Sequence, residues 1–213
     1  DITDDLMPDF IAVTGDIINS KHIDKTLLYL QEAVQISPVF FVSGNHEYYS
    51  KRYDTIKGQL IDLGVNVLDN FVQTMTIDDK VLSIIGVKDS AFFKNKREYI
   101  HTLNALIQQA TGFKILLTHR PHFIDIYQNS GADLILSGHA HGGQIRLPLI
   151  GGLYAPGQGA FPRYTSGLYR LKNQVSLIVN RGLGDSIFPW RIFNSPHIIL
   201  ITLQHRSIKK AAN

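Results

Sequence analysis

The chain has 213 residues, 44% hydrophobic and 18% charged, with 21 basic and 18 acidic side chains and a formal charge of +3. That composition can bury the core of one compact domain and excludes a disordered chain. Cysteine is absent, which excludes disulfides and thiolate metal ligands, so a metal must be held by His, Asp, Asn or Glu.

In chain order, short apolar runs alternate with amphipathic stretches, the pattern of a layered α/β domain. Residues 10–13 read as a buried strand ending at Thr14-Gly15-Asp16. Helical spacing follows over 24–36, with Leu27, Leu28, Leu30 and Val34 as the inner face. A second strand over 39–42 ends at Ser43-Gly44-Asn45-His46. Residues 52–63 form a helix stopped at Gly64. Residues 65–67, 71–77 and 81–87 are expected as short strands, partly antiparallel, with turns at Asp69-Asn70 and Asp78-Asp79. A helix over 97–110 leads to a strand over 114–117 ending at Thr118-His119. A short helix over 122–129 leads to a strand over 133–136 ending at Ser137-Gly138-His139. Residues 142–166 read as one long loop, the kind that in a compact domain is functional or mobile. Strands near 167–171, 175–180 and 197–203 complete the chain.

One pattern recurs. An apolar strand ends and a metal-capable residue follows: Asp16, then Asn45-His46, then His119, then His139 and His141. Ligand sites in α/β sheets collect at the carboxyl ends of strands. A carboxylate can bridge two cations, and imidazole or amide oxygen suits borderline and hard divalent ions. Two such ions can clamp a phosphate and acidify a bound water. Gly15, Gly44 and Gly138 precede the ligands, where the chain turns sharply.

Thr14-Gly15-Asp16, Gly44-Asn45-His46-Glu47, Thr118-His119-Arg120-Pro121 and Gly138-His139-Ala140-His141-Gly142-Gly143-Gln144 together resemble the calcineurin-like metallophosphoesterase superfamily. The Gly-Gly-Gln extension, Asn180 to Gly184 and Pro196 to Leu203 resemble a bacterial, often membrane-associated phosphodiesterase branch. The resemblance implies a four-layer α/β/β/α sandwich of two mixed sheets flanked by helices. It implies two divalent metal ions, with Mn, Fe, Zn, Mg, Co and Ni all open. By motif position, Asp16 bridges the metals, Asn45, His119 and His139 complete the second site, and His141 belongs to the first. His46 is the catalytic residue that protonates the leaving oxygen, and a metal-bridging hydroxide is the nucleophile. Arg120, Arg181 and His122 are candidate substrate contacts from their chemistry, since guanidinium forks suit phosphate and His122 lies near the rim, with salt bridging an equal alternative for the two arginines and a structural role the favoured one for His122. Glu47 departs from the Asp more common in the family.

The family also opens with a strand and an Asp-x-His motif that completes the first metal site. Neither Asp4 nor Asp5 stands where that motif belongs, and no histidine precedes His22. The expectation is therefore one domain over 1–213 whose N-terminal strand and first motif are missing, and poor activity of this stretch alone. The partner is a phosphate ester, with a lipid-linked one possible and nucleic acid not expected. A membrane anchor preceding Asp1 and a bacterial envelope location fit the branch. Two rivals stand beside the phosphodiesterase. One is a hydrolase of a lipid-linked sugar-nucleotide pyrophosphate of the UDP-diacylglucosamine type, with Phe92, Phe93, Phe161 and Trp190 lining an acyl groove. The other is a degenerate binding module. Asp89 reads as an exposed turn, Tyr48 and Tyr49 as packing or pocket wall. The isolated His22, His101, His197 and His205, and the basic tail 206–210, read as structural or solvated.

Overall fold

The computed structural model describes residues 5–18, 23–184 and 190–204. His22, His205, Asp4 and the basic tail lie outside them.

Two sheets face each other. The smaller holds β1 (Ile11–Val13), β2 (Val39–Phe41) and β3 (Asn66–Val67) in the order β1-β2-β3. The larger holds β4 (Phe71–Ile77), β5 (Lys80–Gly86), β6 (Phe113–Leu117), β7 (Leu134–Ser137), β12 (Gly167–Arg170) and β13 (Ser176–Val179), in the order β12-β13-β7-β6-β5-β4. Phe40, Val42, Ile84, Ile115, Leu117 and Leu136 interleave between the sheets, all buried. Helices α1 (Ile23–Ile36) and α3 (Tyr53–Asp62) cover the outer face of the small sheet around Leu30, Phe41, Ile56 and Leu60. Helices α4 (Lys96–Gln109) and α5 (Ile124–Tyr127) cover the large one around Tyr99, Leu103, Leu116 and Ile135. The four layers are those expected. The smaller sheet is nonetheless wholly parallel, so mixing is confined to the larger, where antiparallel edge strands β4 and β12 flank a parallel centre.

The sequence explains these elements. β2 and β7 are buried on both faces, so they read as continuous apolar runs rather than alternating ones. α4 begins where the Asn95 side chain accepts the Glu98 N–H at 3.0 Å. α3 ends where Gly64 takes φ +90, a left-handed geometry that costs glycine nothing. Truncating a fully buried side chain such as Ile84 or Leu117 to alanine would cost about 2–5 kcal/mol.

Four expectations are corrected. Leu28 on α1 faces solvent, and Ala33 takes a place on the inner face. Residues 142–166 are not one loop: they hold two miniature hairpins, β8 (Arg146–Leu147) with β9 (Gly151–Gly152) and β10 (Tyr154–Ala155) with β11 (Gly159–Ala160). Among the described residues 197–203 form no strand, only an isolated bridge between Gly182 and His197. And β1, read as a buried strand, is only half-buried along its length. Past β2 the chain also forms a short helix, α2 (Asn45–Tyr49), too brief for any hydrophobic period to reveal.

Candidate metal centre

The carboxyl ends of β1 and β2 from one sheet meet those of β6 and β7 from the other. Thr14 and Gly15 carry the chain from β1 to Asp16. Gly44 ends β2 and caps α2, on which Asn45 and His46 sit. His119 follows β6 and His139 follows β7. Asp16, His139 and His141 all adopt left-handed backbone, with φ of 58, 62 and 46. That conformation is uncommon for residues with a Cβ and gathers at functional sites.

Fixed hydrogen bonds decide which atoms face inward. His119 Nδ1 lies 2.7 Å from the Thr14 carbonyl, which can only accept, so this nitrogen carries the proton. His119 Nε2 is thereby left as a bare lone pair. Around it stand Asp16 Oδ2 at 3.1 Å, Asn45 Oδ1 at 3.2 Å and His139 Nδ1 at 2.9 Å. Asp16 Oδ2 is buried and accepts no hydrogen bond. Four atoms that can each offer a lone pair thus converge on one point. A divalent cation satisfies that arrangement, and Asp16, His119 and His139 each place one donor atom within 4.8 Å of the others. The donor set therefore fits a metal.

The charges agree. Burial opposes the Asp16 charge most strongly, but the His119 and His46 charges and the His46 N–H hold its carboxyl well below the usual range. Burial first, then the charge of His119, pushes the His139 imidazole down to about 2, so it stays neutral and able to ligate. Burial likewise lowers His141 to about 4. Burial opposes protonation of His119 most, yet Asp16 raises its pKa overall.

His46 donates from Nδ1 to the Ile18 carbonyl at 3.3 Å and points Nε2 toward Asp16 Oδ2, 3.9 Å away. His141 shares an open cleft of ≈ 560 Å³ with Asp16, Asn45, His46 and His139. Ile145, Leu153, Tyr154 and Pro156 form its apolar wall. His122 lies behind His139, ring centroids 6.1 Å apart, and edge-on to Phe123 at 4.7 Å. Arg120 pairs through Nε and Nη2 with both oxygens of Asp89, at 2.7 and 2.9 Å. Asp89 is buried, which overturns its reading as an exposed turn: it caps a 3₁₀ turn at Ala91 and anchors Arg120. Arg181 donates to Ser166 Oγ and does not line the cleft. Tyr48 and Tyr49 are largely exposed, with Tyr48 edge-on to Phe92. Phe93 packs on Tyr99, so neither Phe92 nor Phe93 lines a groove at the metal centre.

Two positioning residues escaped the motif reading. Glu47, fully buried, accepts the backbone N–H groups of Asp16 at 2.7 Å, Ile18 at 3.0 Å and Gly44 at 2.6 Å, and so ties the two small-sheet loops together. Burial and the neighbouring Asp16 charge raise its pKa. Its place in the Gly-Asn-His-Glu run was the available signal. Asn194, also buried, donates to the carbonyls of His141 and Gln144 at 2.7 and 2.9 Å. No local pattern announces it, since 53 residues separate it from His141.

The model of the calcineurin-like phosphoesterases matches residues 1–143, about two thirds of the chain. The chain belongs to that family. Membership makes it a metal-dependent phosphoesterase, with divalent ions as the implied cofactor. It is 32% identical over 201 residues to the uncharacterized metallophosphoesterase YkuE of Bacillus subtilis, across 92% of this chain and 68% of that one. It is 26% identical to the phosphodiesterase YaeI of Escherichia coli, across 92% and 70%. Across curated relatives the chain spans from about half to about three quarters of their length. The Haemophilus influenzae NAD nucleotidase shares the fold at a TM-score of 0.52 and 20% identity, over 81% of this chain and 36% of that longer one.

Proposed function

We propose that this phosphoesterase carries a binuclear centre and hydrolyses a phosphodiester. The observation behind the reading is the convergence of Asp16, Asn45, His119 and His139 donor atoms around one point, with Asp16 and His141 opening on the adjoining cleft. Asp16, Asn45, His119 and His139 would hold one ion, and Asp16 with His141 would contribute to the other. Bound there, divalent ions supply neutralisation of phosphate charge and a water acidic enough to attack near neutral pH.

The chain's own groups do the rest. The Thr14 carbonyl keeps His119 in the tautomer that ligates. His46, held by Ile18, presents Nε2 to the cleft. Protonated there, it would hand its proton to the departing ester oxygen, leaving an alcohol and a phosphomonoester. Asp89 fixes Arg120 beside His119, where its remaining N–H groups can face substrate oxygens. Phosphodiester is preferred because the relative YaeI bears that name. A second reading, an amphiphilic or lipid-linked phosphate ester or pyrophosphate, is favoured by the apolar cleft wall of Ile145, Leu153, Tyr154 and Pro156.

The test is metal content and turnover of a chromogenic phosphodiester on one preparation of the full-length protein. About two metals per chain, with activity down by about 10³-fold or more in Asp16→Ala and His139→Ala, is the expected result. A protein that binds no divalent ion and turns over no ester with several ions supplied would defeat the reading.

A further inference from the structure

Beyond the apolar cleft wall, the neighbouring segments carry exposed hydrophobic side chains. Backbone hydrogen bonds tie those segments together. Arg146 N–H donates to Ile192, Leu153 N–H to Ile145 and Phe161 N–H to Leu153, at 3.0, 2.9 and 2.8 Å. The segment 190–193 is thereby paired to β8, and Phe161 to the far side. Leu149 and Ile150 form the tip of the β8–β9 hairpin, and Leu149 is fully exposed. Phe161, Trp190 and Phe193 are each more than 60% exposed. Single exposed apolar residues need no explanation, but a contiguous patch beside a binding cleft does.

The backbone singles out the same residues. Leu149, Phe161 and Phe193 sit in left-handed conformation, with φ of 67, 50 and 51. Glycine or asparagine is the default there, so a large apolar side chain is disfavoured by its conformation as well as by water.

Charge identifies the occupant. Residues 134–213 contain nine Lys or Arg and a single acid, Asp185, whereas residues 1–133 contain twelve against seventeen. Arg146, Arg163 and Arg191 lie in or beside the segments that carry these apolar side chains, and no acidic residue lies between Asp133 and Asp185. Exposed apolar side chains in a region of one-sided positive charge suit a surface with a greasy interior and negative headgroups. Among the described residues no helix is long and apolar enough to cross a membrane, so this contact would lie on the bilayer.

We propose that residues 145–161 with 190–193 dock this protein on an anionic phospholipid bilayer. The docked orientation sets the mouth of the cleft against the headgroups, where phosphate esters are presented. Only that last step rests on the phosphoesterase reading; the docking itself does not.

Flotation of the metal-free full chain with vesicles tests it, using pure phosphatidylcholine against an equal mixture with phosphatidylglycerol. The chain is expected to float with the anionic vesicles and to release as salt rises. The double substitution Leu149→Asp/Ile150→Asp, at a solvent-exposed tip, should weaken binding about tenfold or more. It should leave the thermal melt and turnover of a soluble diester unchanged. Phe161→Ser, just past β11 on the other hairpin, gives an independent check. Absence of flotation overturns the proposal, as does equal flotation of the variants or of the two vesicle types. A wild-type dimer that the double substitution converts to monomer, without flotation, would make the surface a self-contact instead. A chain that floats but hydrolyses no ester would defeat the phosphoesterase reading alone.

Discussion

Two regions face the same cleft and are built in opposite ways. The rim places Asp16, Asn45, His119 and His139 just past strands of two sheets, β1 half-buried and the other three running into the core, so each donor is held by a sheet element. The apron, residues 141–166 with 190–194, contains no strand longer than two residues among those described. It delivers one donor, His141, and otherwise presents apolar and basic surface. The rim is a device for holding atoms. The apron shapes what reaches them.

Gly44 should separate the regions most sharply. A Cβ there would lie 2.3 Å from Asp16 Oδ1, 2.7 Å from the Asp16 nitrogen and 2.8 Å from His119 Cε1, all in the buried rim. Gly44→Ala should lower divalent-metal affinity by about 100-fold or more and activity further still. In the apron, Gly143 has φ +84, and the nearest atoms a Cβ there would meet are the Gly152 and Leu153 backbone rather than Asp16 or His119. The activity loss of Gly143→Ala should be about tenfold at most, by titration calorimetry and steady-state kinetics on matched preparations. Equal losses would mean that the apron is as rigid as the rim.

Next comes Glu47. Glu47→Ala strands three backbone N–H groups in a buried joint, and urea unfolding should show a loss of about 3 kcal/mol. Loss of metal binding with unchanged stability would assign Glu47 to the metal instead. Smaller again is Asn194→Ala, which frees the carbonyls of His141 and Gln144. Affinity for an ion that depends on His141 should fall about tenfold, while Asp16, His119 and His139 keep theirs. Uniform weakening of all binding would mean the apron supports the rim as well.

The same division governs what the sequence discloses. The rim is legible because its physics is local: a continuous apolar run means a doubly covered strand, and the residue that follows must lie at the sheet's end. Hence Asp16, Asn45, His119 and His139 come together. The apron is illegible for the converse reason. Two-residue strands carry no periodicity, and Asn194 acts across 53 residues; outside the apron, the Asp89–Arg120 pair is hidden likewise, joining positions 31 apart. Phe92 and Phe93, aromatic and adjacent, suggest a groove, yet their rings pack against Tyr53 and Tyr99. Which exposed residues share a face is knowledge only the folded chain contains.

His122 is where the two regions touch, and it offers the smallest and most specific test. It follows His119 on the rim, and a Cβ on Gly157 of the apron would fall 2.3 Å from its Cε1. Its Nδ1 is buried without a partner. Burial, then the Arg120 guanidinium, and to a lesser degree His119, lower its pKa from 6.5 to about 4, with Asp89 opposing. Below 6.5 the unfolded chain therefore takes up a proton here that the folded chain refuses until about 4. Stability must fall as pH drops through that window. His139, His141 and His197 act in the same direction, His119 and Glu47 in the other. The net slope mixes all these groups, and the informative quantity is a difference. In metal-free protein, His122→Gln should flatten the decline of urea stability between neutral pH and about pH 5 by close to one proton's worth. If the slopes of the variant and the wild type coincide, His122 protonates freely in the fold and the contact with Gly157 is loose. If they differ, the rim holds the apron through a group that must remain uncharged, and acid should loosen the apron before it disturbs the strands beneath.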